Sequence, residues 1–297
     1  MSKVVIVVPC FNHMDYLNEA LSSIYSQKVN FDFEVHVHDD CSLDNTGEIV
    51  STFQKKHNNL YYFRNKKNLG MLKNYKYAFS LVDSEYIAIL EGDDYWSDVN
   101  KLASQVKLLD AHPNASMCFH NFVGLLNWNK KFVFRPDKHD PQSEEVTIND
   151  VYHIRSIGNF SVCVYRTEFV RKIPESYYDN KEAADFLFNL YMIKQGPALF
   201  LPGCLSVYRI HNKSQWSSLE PKEKLKQTLL FSLKYYQMFP ECGVHDFLKI
   251  AEEASEDYLN ESRELILANR EITKKDVKKW LMKRSKLKLK TFFGRKV

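Results

Sequence analysis

Tyr86 to Asp94 reads Tyr-Ile-Ala-Ile-Leu-Glu-Gly-Asp-Asp. A short apolar run bounded by a glycine and acids predicts a buried strand that ends in carboxylates. Working outward, Glu34-Val35-His36-Val37-His38 alternates like a strand and ends in Asp39-Asp40. Upstream, Val4-Val5-Ile6-Val7-Val8 predicts a buried strand followed by Pro9-Cys10-Phe11-Asn12. Helical spacing fills the gaps. Asn12 reads as an N-cap with Asp15 three residues on, ahead of Leu17, Ala20, Leu21 and Ile24. Asn45 with Glu48 opens a second helix through Ile49, Val50 and Phe53. Tyr61-Tyr62-Phe63 is a third strand. Asn68-Leu69-Gly70 turns into a helix carrying Leu72, Tyr75, Phe79 and Val82, and Leu102, Val106 and Leu109 continue helically. Strands alternating with helices imply an α/β fold with a mostly parallel sheet and right-handed crossovers. Ligands of such sheets sit beyond the carboxyl ends of the strands.

The pattern changes twice further on. Residues 115–210 are mixed, with short strands expected at Met117–Phe122, Ser161–Tyr165 and Leu205–Arg209 and a helix over Ala184–Lys194. From Pro221 to Lys290 the spacing is almost purely helical. A main domain over 1–218 (halves 1–114 and 115–218) with a helical extension over 219–297 is the expected organisation.

Composition bounds the class. The 297 residues are 44% hydrophobic and 26% charged, with only 9 Gly and 9 Pro and 14% aromatics, which excludes collagen-like and disordered chains. No apolar run approaches the roughly 18 residues of a membrane span. Val4–Val8 is too short for a signal h-region, so a cytoplasmic protein is expected. The six cysteines are scattered, without CxxC pairs or zinc spacing, and read as buried thiols in a reducing compartment. Residues 273–297 hold eleven Lys or Arg against Asp276 alone, a net +10, which leaves −6 for the rest of a chain of net +4. Apolar residues such as Trp280, Leu281, Phe292 and Phe293 thread this tail, so a basic amphipathic segment on an anionic membrane surface is expected. The basic run belongs to no recognisable nucleic-acid-binding fold, so no nucleic acid is expected.

The two acidic pairs carry the chemistry. Asp39-Asp40 and Asp93-Asp94 follow two different buried strands and emerge at one sheet edge. Carboxylates gathered there repel unless something positive sits among them. A divalent cation with a phosphate ligand answers that need, because Mg²⁺ and Mn²⁺ take one or two carboxylates plus substrate phosphate. Aspartates also suit turns and helix caps, so either pair alone is ambiguous.

Val4–Asn12, His36–Thr46 (HVHDDCSLDNT), Asn68-Leu69-Gly70 and Glu91–Trp96 (EGDDYW) together resemble the successive signatures of family 2 glycosyltransferases with the GT-A fold. Ala184-Asp185-Phe186 and Val207-Tyr208-Arg209-Ile210-His211, with Ser214 and Trp216 behind, agree. The resemblance implies an inverting transferase that uses a nucleotide-diphosphate sugar as donor, a UDP-sugar before any other, with Mn²⁺ or Mg²⁺. It makes Asp40 the acceptor for the N3–H of a uracil-type base, a fitting role because a carboxylate cannot donate. Pro9 and Phe11 lie beside that base, although Phe11 also suits a strand-end core position. Gly70 and Lys73 approach the sugar or diphosphate, with an ordinary exposed lysine as the alternative for Lys73. Asp93 and Asp94 form the metal signature, Asp94 as the direct ligand, and His211 reaches the metal or diphosphate. Glu91 stands where the family often has Asp. Asp185 is the catalytic base, and Glu182 three residues upstream competes for that role. The acceptor is then a saccharide or lipid-linked saccharide of a bacterial surface polysaccharide. A nucleotidyltransferase would want a glycine-rich loop after the first strand, where this chain has none. A degenerate transferase serving as a scaffold is the non-enzymatic rival.

Overall fold

The computed structural model describes residues 2–134, 145–151, 157–179, 184–214, 218–220 and 223. Glu182, Trp216, the basic tail and nearly all of the expected helical extension lie outside these residues. Met1–Ser217 form one compact unit.

The first half alternates as the sequence predicts: β1 (Val4–Cys10), α1 (Leu17–Tyr25), β2 (Phe33–Asp39), α2 (Thr46–Gln54), β3 (Leu60–Arg64), α3 (Met71–Ser80), β4 (Tyr86–Ile89), β5 (Tyr95–Trp96) and α4 (Lys101–Ala111). The second half adds β6 (Met117–Leu126), β7 (Lys131–Phe134), β8 (Glu145–Val146), α5 (Ile148–Val151), β9 (Val164–Arg166), α6 (Thr167–Val170), α7 (Ala184–Gln195) and β10 (Ala198–Ile210). One sheet runs β3-β2-β1-β4-β9-β6-β10-β5, with β7 beside β6 and β8 beside β10. β1, β2, β3 and β4 are mutually parallel, β9 is antiparallel to β4 and β6, and β10 returns parallel to β6.

β1 lies inside the sheet between β2 and β4, which its apolar residues on both faces suit; Val4 to Val8 are at most 1% exposed. Leu17, Ala20, Leu21 and Ile24 of α1 are all fully buried, as their spacing predicts. Burying each such Leu or Ile contributes about 1.5–3 kcal/mol. The register sets the functional edge. Cys10 pairs with Asp39, and the ladder runs past the strand ends, Asp40 N–H to Cys10 O at 2.9 Å and Gly92 N–H to Pro9 O at 3.0 Å. A Cβ on Gly92 would stand 2.8 Å from His13 Nδ1 and 3.0 Å from Cys10 Cβ, so glycine permits this approach.

Three local expectations change. Asn12 does not cap α1. It sits at φ 57° and its side chain accepts the Leu43 N–H at 2.8 Å, tying the β1 exit to the β2 exit, and α1 begins only at Leu17. Residues Phe160–Val162 form a 3₁₀ turn, so only Val164–Arg166 is strand. β10 is longer than its apolar pattern because it carries a bulge: its register against β6 shifts around Leu201–Ser206, where Gly203 takes φ 118°.

Candidate active site

The carboxyl ends of β1, β2, β4 and β10 meet along one edge, which brings Pro9, Phe11, Asp40, Asp93, Asp94 and His211 to the same side of the sheet. The two acidic pairs there differ in what surrounds them.

Asp39 and Asp40 are surrounded by donors. Asp39 accepts the Ser42 N–H at 2.7 Å and the Tyr62 hydroxyl at 2.5 Å, with Arg64 Nε at 3.5 Å. Asp40 Oδ1 accepts from Asn65 Nδ2 at 2.9 Å and the Leu69 N–H at 2.7 Å, while Oδ2 accepts the Gly70 N–H at 2.9 Å. Asp40 therefore anchors the turn that starts α3, and three of the roughly four acceptor positions of a carboxylate are used within the chain. Gly70 holds φ 84° and a Cβ there would meet nothing within 4 Å, so backbone conformation and not crowding selects glycine. Lys73 is exposed in the first turn of α3, and Phe11 is 41% exposed at the β1 exit.

Glu91, Asp93 and Asp94 sit in a different environment. Asp94 is 1% exposed; its Oδ2 accepts the Ser161 hydroxyl at 2.6 Å and its Oδ1 accepts the Arg209 N–H at 2.9 Å. Burial, followed by the charge of Asp93, pushes the Asp94 carboxyl well above the ordinary range. Burial and then Asp93, Asp94 and Asp185 do the same to Glu91, whose Oε1 accepts the Tyr75 hydroxyl at 3.2 Å. Burial alone would also raise Asp93, but His13 and the His211 hydrogen bond outweigh it and hold Asp93 low. Asp185 lies in the first turn of α7, its Oδ1 accepting the Phe186 N–H at 2.7 Å, and burial raises it.

His211 is 4% exposed and packs 4.7 Å from the Tyr16 ring. Its Nδ1 accepts the Lys213 N–H at 3.2 Å, so the proton lies on Nε2, which donates to Asp93 Oδ2 at 3.1 Å. For Nε2 to face a cation, the ring would have to give up the Lys213 contact. Arg209 is buried between the rings of Tyr16 and Tyr95, 5.3 and 4.9 Å from their centroids, and pairs with Glu19, which makes it a brace between β10 and α1.

Among the described residues no group of three or more His, Cys, Asp or Glu forms a preassembled metal cage. The donor set still fits Mg²⁺ or Mn²⁺, which need only one or two carboxylates beside substrate phosphate. Asp94 keeps two of its roughly four lone-pair positions, and burial followed by neighbouring carboxylates raises Glu91 and Asp94, a penalty that a bound cation would relieve.

Four contributors were not legible. Ser161 reads as the start of a strand, yet it joins Asp94, the Glu91 N–H at 3.2 Å and, through its carbonyl, Trp96 Nε1 at 2.9 Å. Tyr75 reads as a core position of α3. Tyr16 and His13 lie in a stretch whose only signal is adjacency to Asn12. Each reaches the site through a tertiary contact that no spacing announces.

The glycosyl transferase family 2 model matches residues 5–173, more than half of the chain. Abequosyltransferase RfbV of Salmonella typhimurium is 33% identical over 249 residues, 78% of this chain and 72% of that one. The uncharacterized protein Rv1520 of Mycobacterium tuberculosis is 31% identical over 216 residues, 72% of this chain. The chain spans 60% of the length of that relative. Among solved structures, S. aureus TarS 1-349 in complex with UDP-GlcNAc superposes with a TM-score of 0.62 at 24% identity, covering 78% of this chain and 66% of that one. The chain belongs to glycosyl transferase family 2, and its α/β architecture is of the GT-A type.

Proposed function

We propose that the protein transfers a sugar from a nucleotide-diphosphate sugar, a UDP-sugar, to an acceptor hydroxyl with inversion at the anomeric carbon. One observation carries the reading: Glu91, Asp93 and Asp94, with Asp185 within electrostatic reach of Glu91, gather carboxyl groups at the carboxyl edge of a family 2 sheet. RfbV is named for transfer of a sugar, and TarS is a structure bound to a UDP-sugar.

In this reading Asp40 gives its remaining acceptor position to the N3–H of uracil, with Pro9 and Phe11 beside the base. Gly70 and Lys73 face the diphosphate. Asp94 holds a divalent cation, Asp93 lies beside it, and His211 keeps Asp93 ionised and oriented. Bound Mn²⁺ or Mg²⁺ would neutralise charge developing on the leaving diphosphate. Asp185 accepts the proton of the acceptor hydroxyl as that oxygen attacks in line; its raised pKa brings it nearer the range a general base needs. Residues 1–218 form the transferase domain, divided near residue 114. The extension 219–297 carries the basic tail to the inner face of the membrane, where a lipid-linked saccharide for surface polysaccharide is the acceptor. No described helix is long and apolar enough to cross a membrane.

Calorimetry with UDP, dTDP, CDP and GDP, each with and without Mn²⁺, tests the site. UDP should bind most tightly and lose affinity on chelation. CDP presents an N3 lone pair to Asp40 and should bind more weakly. A preference for CDP or GDP overturns the role of Asp40, and turnover of a UDP-sugar unchanged by chelator overturns the metal.

A further inference from the structure

The turn between β6 and β7, with the first residues of β7, holds two large aromatic side chains in water. Trp128 is 67% exposed and Phe132 is 62% exposed. Between them stand the exposed Lys130 and Lys131, and Met117–Phe134 contain no Asp or Glu, in a chain that is net acidic before its tail. The turn is built and not loose. Lys130 takes φ 55° and its ammonium donates to Asn127 Oδ1 at 2.9 Å, while the Lys131 N–H donates to Asn129 Oδ1 at 3.0 Å.

Its base is fixed to the rim of the active site. The Asn127 N–H donates to Ile210 O at 3.0 Å and Asn127 Nδ2 to the Tyr16 hydroxyl at 3.3 Å, and Tyr16 packs on His211. β6 runs parallel to β10, so the turn leaves the same sheet edge as the site. Two more exposed apolar side chains follow strands at that edge: Met14 after β1, 42% exposed, and Leu43 after β2, 86% exposed.

We propose that the β6–β7 turn is a docking surface for an anionic lipid bilayer, with Trp128 and Phe132 entering the interfacial layer and Lys130 and Lys131 meeting the headgroups. Tryptophan favours that layer because its ring is apolar while its N–H still needs a polar partner. The lysines meet anionic lipid while their stems lie along apolar surface. Because the turn is tied to Tyr16, docking would bring the mouth of the site to the membrane plane. The proposal is independent of the basic tail and of the sugar transferred.

Fluorescence quenching by vesicles of brominated phosphatidylglycerol and phosphatidylcholine tests it on the full chain. The difference between wild type and Trp128→Phe isolates Trp128 from Trp96, Trp216 and Trp280. That difference signal should shift to the blue and be quenched. Lys130→Gln with Lys131→Gln should weaken vesicle partitioning by about fivefold per lysine at low salt. Vesicle binding with an unquenched Trp128 signal places the contact elsewhere and overturns the proposal. No binding to anionic vesicles at low salt also overturns it. A Trp128 signal that responds to soluble oligosaccharide but not to vesicles makes the turn an acceptor platform, and the bilayer proposal fails.

Discussion

Asp39-Asp40 and Asp93-Asp94 look alike as sequence and occupy corresponding strand exits, yet they are opposite as chemistry. The first pair collects backbone and side-chain donors, from Ser42, Tyr62, Asn65, Leu69 and Gly70, and uses them to build the loops around the β2 exit. The second pair shares its surroundings with Glu91, Ser161 and His211, and its carboxylates shift one another. An acidic pair surrounded by donors is a structural clamp with limited spare capacity. An acidic pair that raises its neighbours carries a penalty that a bound cation or a proton would relieve. Whether nearby N–H and O–H groups match the carboxylate oxygens separates the two cases.

The largest expected effects fall on the second pair and its neighbourhood. Asp94→Asn should lower turnover of a UDP-sugar by about a hundredfold or more and abolish the response of nucleotide binding to Mn²⁺, with far-UV circular dichroism unchanged. Asp185→Asn should lower kcat by about 10²–10⁴-fold and leave UDP affinity nearly intact. Because burial raises Asp185, the wild-type acid limb of kcat/KM should lie above the ordinary carboxylate range. An active Asp185→Asn beside a dead Glu182→Gln would move the base to Glu182.

Ser161→Ala is next in size. The hydroxyl fixes one oxygen of Asp94 and, through the Glu91 N–H, the chain leading to it. Its loss should weaken the apparent Mn²⁺ affinity by about 10–100-fold, the usual cost of removing a partner of a metal ligand. Ser161→Thr, which keeps the hydroxyl, should recover much of it. Unchanged Mn²⁺ dependence in the alanine variant would reduce Ser161 to packing.

How far sequence reached follows from the range of the interactions involved. The parallel half was legible because its strands are buried on both faces and its helices keep one apolar stripe, as at Leu17, Ala20, Leu21 and Ile24. The edge on which the acids meet followed from topology alone. Asn12 misled because an Asn ahead of an apolar helix suits a cap, while here it accepts from Leu43, thirty-one residues away. Ser161 and Tyr75 were invisible for the same reason, since their partners Asp94 and Glu91 are distant in sequence. β10 outran its expected length because Gly203 and the bulge interrupt the alternation by which strands are read.

The smaller effects separate the two pairs by sign. Asp40→Asn keeps one oxygen for the Asn65 and Leu69 donors, and its NH₂ then faces the Gly70 N–H. Stability should fall by about 1–3 kcal/mol, read as a lower urea midpoint.

Glu91→Gln should move stability the other way. The fold raises the Glu91 carboxyl above its unfolded value of about 4.3. Its contribution is therefore complete below about pH 4 and is lost as pH rises through the folded value, because burial, and then Asp93 and Asp94, disfavour the ionised form. Glutamine imitates the neutral acid and still offers an oxygen to the Tyr75 hydroxyl. The variant should match wild type near pH 4 and gain stability over wild type as pH rises toward 8. For a domain of this size the gain reads as a rise in Tm of about 2–4 °C per kcal/mol. A variant less stable than wild type at pH 8 would show that Glu91 is ionised and paired in the fold.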